Sequence, residues 1–115
     1  LRGLHGDKNT WKLVSCLEGE FFLVVVNYDK NSNQFCKHLT FTLNGNDNYQ
    51  VLIPPSFANG HLVLSKKTIF HYKQSTYYEG MDRQFTLKWD DPKLNIDWPL
   101  KKPILSSRDS EATYL

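Results

Sequence analysis

The chain has 115 residues, enough for one domain around a single hydrophobic core. Apolar residues make up 40% and charged residues 23%, as in soluble globular proteins, and the net charge of +2 leaves no large basic face for nucleic acid. The longest apolar run, FFLVVV, is too short to span a bilayer, so we expect no nucleic-acid partner and no membrane partner.

Short stretches rich in Val, Ile, Thr, Tyr and Phe follow one another along the chain, and none shows a sustained helical period. Clusters of Gly, Pro, Asn and Asp separate them and leave no room for the crossover helices of a parallel sheet. The pattern therefore predicts an all-β domain, either a sandwich or a barrel. The predicted strands are 11–17, 20–28, 37–43, 49–54, 60–65, 68–75 and 83–89.

The first residues, LRGLH, are less regular than the other stretches. Strict strand alternation would place Arg2 and His5 on opposite faces. Gly3 lies between them, and a glycine inside a strand often marks a bulge. A bulge at this point would let both side chains point inward.

Alternation also sorts the side chains of two later strands. In WKLVSCL, Lys12, Val14 and Cys16 share a face. Lys12 is then either an edge residue that extends to water or a cation held in a pocket, and the pattern alone favours the first reading. In TIFHYKQ, Tyr72 and His71 lie on opposite faces, so they cannot line the same cavity.

The chain changes character from Asp90 onward. Three prolines and many polar residues in this segment disfavour a regular element. Its apolar residues predict an irregular arm packed over the barrel, held by Ile96, Trp98, Ile104 and Leu105.

The cysteines and histidines show no metal-binding pattern. Cys16 and Cys36 lack metal or redox spacing, which predicts two free thiols in a reducing compartment and hence a cytoplasmic protein. The four histidines include no H-x-H pair of the kind that metal-binding cupins use. We expect His38 and His71 to be structural.

Six motifs occur in one order: LRGLH, KLV, LIPPSFANGHLVLS, HYKQSTYY, WDDPKLNIDWPL and PILSSRD. Together they resemble the dTDP-4-dehydrorhamnose 3,5-epimerase family over essentially the whole chain. The resemblance implies a cupin-type jelly-roll β-barrel with an irregular C-terminal arm, usually a homodimer, that works without a metal or other cofactor. It also implies inversion of C3, C5 or both in a nucleotide-linked 4-keto-6-deoxy sugar.

The resemblance assigns a catalytic role to four residues. His5 closes LRGLH, where the family keeps its base, and Asp109 in SSRD matches the aspartate that orients this base. Lys12 in KLV matches the lysine beside the C4 oxygen of the sugar, which reverses the expectation from the strand pattern. Tyr72 in HYKQ matches the general acid on the opposite face of the substrate.

The resemblance also implies substrate contacts at the rim of the site. Arg2 matches an arginine that grips the substrate, plausibly at its diphosphate. Tyr77 stands where an aromatic residue stacks on the nucleotide base, and Tyr78 competes for that role. His61 approaches the same pocket and is given no role.

The chain departs from the family pattern at the sugar site. Asn59 stands where common members have a second histidine, and Leu23 replaces the aspartate that pairs with it. The short loop GDKNTWK is similar to a branch that epimerises GDP-linked 4-keto-6-deoxy-heptoses for capsular polysaccharide. We therefore expect a GDP-heptose substrate in preference to a dTDP-hexose. The alternative is a non-catalytic cupin that binds nucleotide sugars.

Family members carry a sizeable segment before LRGLH. That segment supplies early strands and some nucleotide contacts. We therefore expect residues 1–115 to be a single epimerase domain that lacks the N-terminal segment of the family.

Overall fold

The computed structural model describes residues 1–115 and contains eight strands, which confirms the all-β prediction. The connections are short turns, and the only helices are a 3-10 turn and a single α-helical turn. Neither helix has the length or apolar character needed to cross a membrane. The strands are β1 (Arg2–Gly6), β2 (Lys12–Glu18), β3 (Glu20–Asn27), β4 (His38–Asn44), β5 (Gln50–Ile53), β6 (Phe57–Val63), β7 (Ile69–Gln74) and β8 (Phe85–Thr86).

The strands form two antiparallel sheets. The larger sheet has the order β4-β3-β6-β1-β8, and the smaller sheet has the order β5-β2-β7. One apolar cluster joins the inner faces of both sheets, so the sheets pack face to face. Its buried members are Val14, Cys16, Phe21, Leu23, Val25, Leu43 and Ile53.

A second apolar cluster lies on the outer face of the larger sheet. Alternation along β3 and β6 sends every second residue outward, and the C-terminal arm covers these residues. The buried members are Leu4, Val24, Val26, Ala58, Leu62, Leu87, Leu94 and Trp98. Apolar packing on both faces makes the larger sheet the central layer of the molecule.

Strand β1 contains the irregularity that the glycine predicted. Arg2 pairs with His61 and His5 pairs with Asn59, so β1 takes three steps where β6 takes two. The extra residue is a bulge, and it directs Arg2 and His5 toward the same side of the sheet. Gly3 permits this because its φ is +113° and a Cβ atom there would lie 2.5 Å from the Cα of Gly60.

The structure adds β1 to the seven predicted strands, and two of those strands differ from the prediction by more than one residue at an end. Strand β6 begins at Phe57 rather than at residue 60, so Asn59 is a strand residue and not part of a turn. The stretch 83–89 contains only the two-residue strand β8. The bulge in β1 interrupts the pairing of β1 with β8, although Leu4 and Leu87 still exchange backbone hydrogen bonds of 2.9 and 3.3 Å.

The arm after β8 packs as an irregular segment, but two details of the prediction were wrong. Trp98 is buried against the outer cluster, and Ile96 packs beside it. Ile104, however, is 90% exposed and does not anchor the arm. The arm also contains a regular element, the single turn α1 (Ser107–Ser110), which the hydroxyl of Ser106 caps by accepting a hydrogen bond from the backbone N–H of Asp109.

Candidate active site

A cavity of about 280 Å³ opens between the two sheets next to the inner apolar cluster, with Val14 belonging to both. Its walls come from β1 and β6 on one side and from β2 and β7 on the other. The lining residues are Arg2, His5, Lys12, Val14, Asn59, His61, Phe70, Tyr72, Gln74, Tyr78, Gln84 and Arg108. None of them is a carboxylate, so the cavity presents positive and neutral groups to a ligand.

His5 and Asp109 form the shortest charged contact of the cavity. His5 Nε2 lies 2.6 Å from Asp109 Oδ1, although the two residues are 104 positions apart in sequence. The Asp109 side chain is fully buried behind the imidazole. A carboxylate in this position selects the tautomer with hydrogen on Nε2 and fixes the orientation of the ring.

Asp109 is itself held by two further donors. Its Oδ2 atom accepts hydrogen bonds from the backbone N–H of Gly3 at 3.2 Å and from the hydroxyl of Ser106 at 2.9 Å. Ser106 in turn accepts from the backbone N–H of Asp109, which closes the cap of α1. The carboxylate is therefore fully hydrogen-bonded, as a buried charge requires.

The other ring nitrogen of His5, Nδ1, is free to act on a ligand. It has no partner within the protein, and no side-chain nitrogen is sealed in the interior without one. Burial lowers the pKa of His5 from its usual 6.5, even though Asp109 acts to raise it. At neutral pH the ring is therefore uncharged, and Nδ1 carries a lone pair that can accept a proton.

Lys12 reaches across the space between the sheets. Its Nζ atom donates to Asn59 Oδ1 at 3.0 Å and to the carbonyl of His5 at 3.5 Å. The side chain is 9% exposed, so Lys12 is a buried cation and not an edge residue extending to water. Burial lowers the pKa of Lys12. Its two partners are neutral, which leaves its charge available to an anionic oxygen in the cavity.

Tyr72 lines the cavity from the smaller sheet and is 50% exposed. It pairs with Val14 on β2 and packs its ring against Phe70 at 5.7 Å. His71 points to the other face and contacts Ser15, as alternation predicted. The site therefore carries an imidazole on one sheet and a phenol on the other.

Three substrate-contact predictions have different outcomes in the structure. Arg2 and Asn59 both line the cavity, and Asn59 orients Lys12. Tyr77 does not line it: this side chain is 96% exposed and borders an adjoining cavity of about 340 Å³. Tyr78 borders both cavities, which makes it the better placed of the two tyrosines.

Other lining residues had no assignment from the sequence. Arg108 is held by Gln84 and Thr86, with nitrogen–oxygen distances of 3.1 and 3.0 Å, and adds a second guanidinium to the cavity. Its position next to Asp109 in the chain would have identified it. His61 follows Asn59 by two residues, so alternation along β6 would have placed it in the same wall.

The arrangement suits proton transfer next to a group that accumulates negative charge. A neutral imidazole, a buried cation and a phenol surround one space, and two arginines stand beside it. No three His, Cys, Asp or Glu side chains lie close enough together to hold a metal ion.

Two facing antiparallel sheets with a polar cavity at one end define the chain as a jelly-roll protein of the cupin type. The family model of dTDP-4-dehydrorhamnose 3,5-epimerase matches residues 1–115. The chain belongs to this family. The curated dTDP-4-dehydrorhamnose 3,5-epimerase of Shigella flexneri is 39% identical over 112 residues, which cover 95% of this chain and 61% of the relative.

Solved structures agree with the family assignment. The dTDP-6-deoxy-D-glucose-3,5-epimerase of Legionella pneumophila, in complex with dTDP-4-keto-L-rhamnose, has a TM-score of 0.92 and 39% identity over 98% of this chain and 61% of its own. The Bacillus anthracis dTDP-4-dehydrorhamnose 3,5-epimerase, with TDP and PPi bound, has a TM-score of 0.93 and 35% identity. The match covers 99% of this chain and 66% of the solved chain. The chain thus spans about three fifths of the length of its curated relatives.

Proposed function

We propose that this protein is an isomerase that inverts C3, C5 or both in a nucleotide-linked 4-keto-6-deoxy sugar. The observation that carries the proposal is the oriented His5–Asp109 pair in one cavity with Tyr72 on the facing sheet. Inversion of a carbon needs a base on one face of the sugar and an acid on the other. A protein that only bound the sugar would not need this opposed pair.

The proposed reaction begins at the C–H bond next to the C4 ketone. Nδ1 of His5 takes the proton, and the electron pair of the C–H bond moves to form the enolate, with negative charge on the C4 oxygen. Lys12 stabilises this oxygen. The phenol of Tyr72 then donates its proton to the same carbon from the opposite face, and the ketone reforms. Loss of a proton from the imidazolium to water and uptake of a proton from water by the phenolate restore the neutral imidazole and the phenol.

The lowered pKa of His5 supports its role as the base. A histidine that was protonated at working pH could not accept the substrate proton. Because burial holds the pKa below 6.5, the neutral form prevails at neutral pH. The Nε2–H of the ring remains paired with Asp109, which stabilises the imidazolium that forms during the reaction.

We propose a nucleoside diphosphate as the carrier of the sugar, with GDP-heptose in capsular polysaccharide synthesis favoured over dTDP-hexose. Arg2 and Arg108 supply two guanidinium groups suited to a diphosphate, and Tyr78 offers an aromatic face for the base. The GDP preference rests on the short loop GDKNTWK and on the uncharged residues Leu23 and Asn59.

We further propose a homodimer in the cytoplasm. Strands β4 and β5 are sheet edges and carry exposed apolar residues, with Leu39 67% exposed and Leu52 60% exposed. Unpaired edges of this kind are suited to a second copy. Cys16 and Cys36 are free thiols, which fits a reducing compartment. Sedimentation of the purified protein tests the dimer, and a monomer at micromolar concentration would contradict it.

Exchange with heavy water tests the reaction directly. The folded, full-length protein is incubated with GDP-4-keto-6-deoxy-heptose or dTDP-4-keto-6-deoxy-glucose in deuterium oxide, and C3 and C5 are followed by NMR. Deuterium at either carbon, with inversion, is the expected result. Binding of both sugars without any exchange would reject the epimerase and leave a binding protein.

A further inference from the structure

His61 stands at the boundary between the apolar interior and the cavity. Its ring stacks on Phe70 with a centroid distance of 4.1 Å and an interplanar angle of 18°, and it meets Phe21 edge-on at 5.7 Å. These aromatic contacts fix the ring without using its nitrogen atoms. Neither nitrogen has a partner in the protein or is sealed from solvent, so both are available to a ligand in the cavity.

The register of β6 places His61 level with the residue assigned to the diphosphate and one row away from the residue that holds Lys12. Arg2, assigned to the diphosphate, lies directly opposite His61 on β1. Asn59, which holds Lys12 at the C4 oxygen, precedes His61 by two residues on the same face. A sugar bound across this wall runs from C1, which bears the diphosphate, through C2 and C3 to C4. His61 then lies at the C1 end of the sugar beside Arg2, and the hydroxyl group nearest C1 is the one on C2.

On the basis of the proposed function, we infer that His61 hydrogen-bonds the C2 hydroxyl group of the sugar and makes the enzyme select hydroxylated over 2-deoxy substrates. A hydroxyl group both donates and accepts hydrogen bonds, and a neutral imidazole does the same. A site built to bind a hydroxyl discriminates against the analogue that lacks it, because its own polar atoms are then left unpaired.

The charge state of the ring supports this role. Burial, together with the positive charge of Arg2, lowers the pKa of His61 to about 4, while Asp109 acts in the opposite direction. The imidazole is therefore neutral at working pH. It is too weak a base to share the proton chemistry of His5, which leaves it a binding group.

The substitution His61→Phe tests the inference, because phenylalanine keeps the aromatic stack and removes both nitrogens. The wild-type protein should favour a hydroxylated sugar over its 2-deoxy analogue in the kcat/KM of exchange. In His61→Phe this preference should fall about tenfold, through a higher KM for the hydroxylated sugar, with the 2-deoxy sugar unaffected. The control His38→Phe, on edge strand β4 outside the cavity, should keep the preference.

Two results would overturn the inference: a wild-type protein without preference, or a His61→Phe protein that retains it. A ring-nitrogen NMR titration of the wild-type protein separates this outcome from failure of the proposed function. The His61 resonances should shift with the GDP- or dTDP-linked 4-keto-6-deoxy sugar and not with GDP or dTDP alone. If exchange is absent and this shift remains, only the epimerase proposal is rejected. If the shift is absent, the inference is rejected even where exchange occurs.

Discussion

The space between the two sheets has two ends of opposite character, although the same strands build both. At one end Cys16 on β2 packs with Phe21 and Leu23 in a closed apolar cluster. At the other end Lys12, four residues earlier on β2, enters a cavity with Tyr72. Side chains alternate between the two faces along the whole length of each strand. The residue type at each inward position therefore decides whether that position belongs to the apolar core or to the site.

The contrast matters because the apolar end controls the electrostatics of the polar end. Burial is the largest cause of the lowered pKa of His5, Lys12 and His61. Partial burial also strengthens the attraction between Lys12 and an enolate oxygen. The core therefore contributes to the proposed chemistry as well as to stability.

Loss of the proposed base should have the largest effect on the polar end. His5→Asn removes the proton acceptor and should lower deuterium exchange at both carbons by about 100- to 10,000-fold. NMR of the sugar in deuterium oxide measures the effect, with His38→Asn as the control. Exchange at the wild-type rate in His5→Asn would remove His5 from the role of base.

Truncation in the apolar end should have its main effect on stability. Phe21 is fully buried and touches both Phe70 and His61. Phe21→Ala should lower the free energy of unfolding by about 3–5 kcal/mol through lost transfer energy and the cavity left behind. Urea denaturation measures the change, with Leu39→Ala at an exposed position of β4 as the control. A loss of unfolding free energy below about 1 kcal/mol would show that Phe21 does not belong to a closed apolar cluster.

The boundary residue His61 should make stability depend on pH. Its pKa is about 4 in the folded protein and about 6.5 when unfolded, so the unfolded chain binds the extra proton between these values. Stability should therefore fall as pH decreases from about 6.5 to about 4, by up to about 3 kcal/mol from this group.

Denaturation across that pH range measures the effect of His61. His61→Phe should flatten the dependence relative to wild type, whereas His38→Phe should leave it unchanged. If the stability of His61→Phe depended on pH as steeply as that of the wild type, groups other than His61 would be responsible for the effect.

Removal of the proposed acid should have a smaller and more selective effect. Tyr72→Phe leaves His5 and Lys12 in place, so proton removal continues while delivery to the opposite face is lost. Inversion should fall about 100-fold, and exchange by much less. Comparing both rates in one NMR experiment gives the ratio, and equal loss of the two rates would exclude Tyr72 as the acid.

Local pattern predicted most of the fold because alternation depends only on neighbouring residues. Strands β2 to β7 all fall within or next to predicted stretches, and the glycine in LRGLH predicted the bulge. The start of β6 was missed because Pro54, Pro55 and Ser56 resemble a turn that continues to Gly60. Tertiary pairing with β1 and β3 instead extends the strand back to Phe57.

The site was only partly predictable, because its residues come from distant parts of the chain and local pattern does not show which of them meet. Motif order identified His5 and Asp109. The local sequence pattern alone could not show that these two side chains, 104 positions apart, lie together. Strand pattern alone assigned Lys12 to the surface, because depth in the molecule is not a local property. Tyr77 and Tyr78 are adjacent and similar, and only the path of the loop places Tyr78 against the cavity.

The hydrogen bond between His5 and Asp109 also has a consequence for the order of events during synthesis of the chain. The imidazole leaves the ribosome among the first residues of this chain, and its carboxylate among the last. A nascent chain that has not yet reached Ser106 therefore holds an unoriented ring and no complete proton-transfer pair. A chain that stops before α1 therefore lacks the carboxylate that orients the His5 ring, however well its sheets have formed.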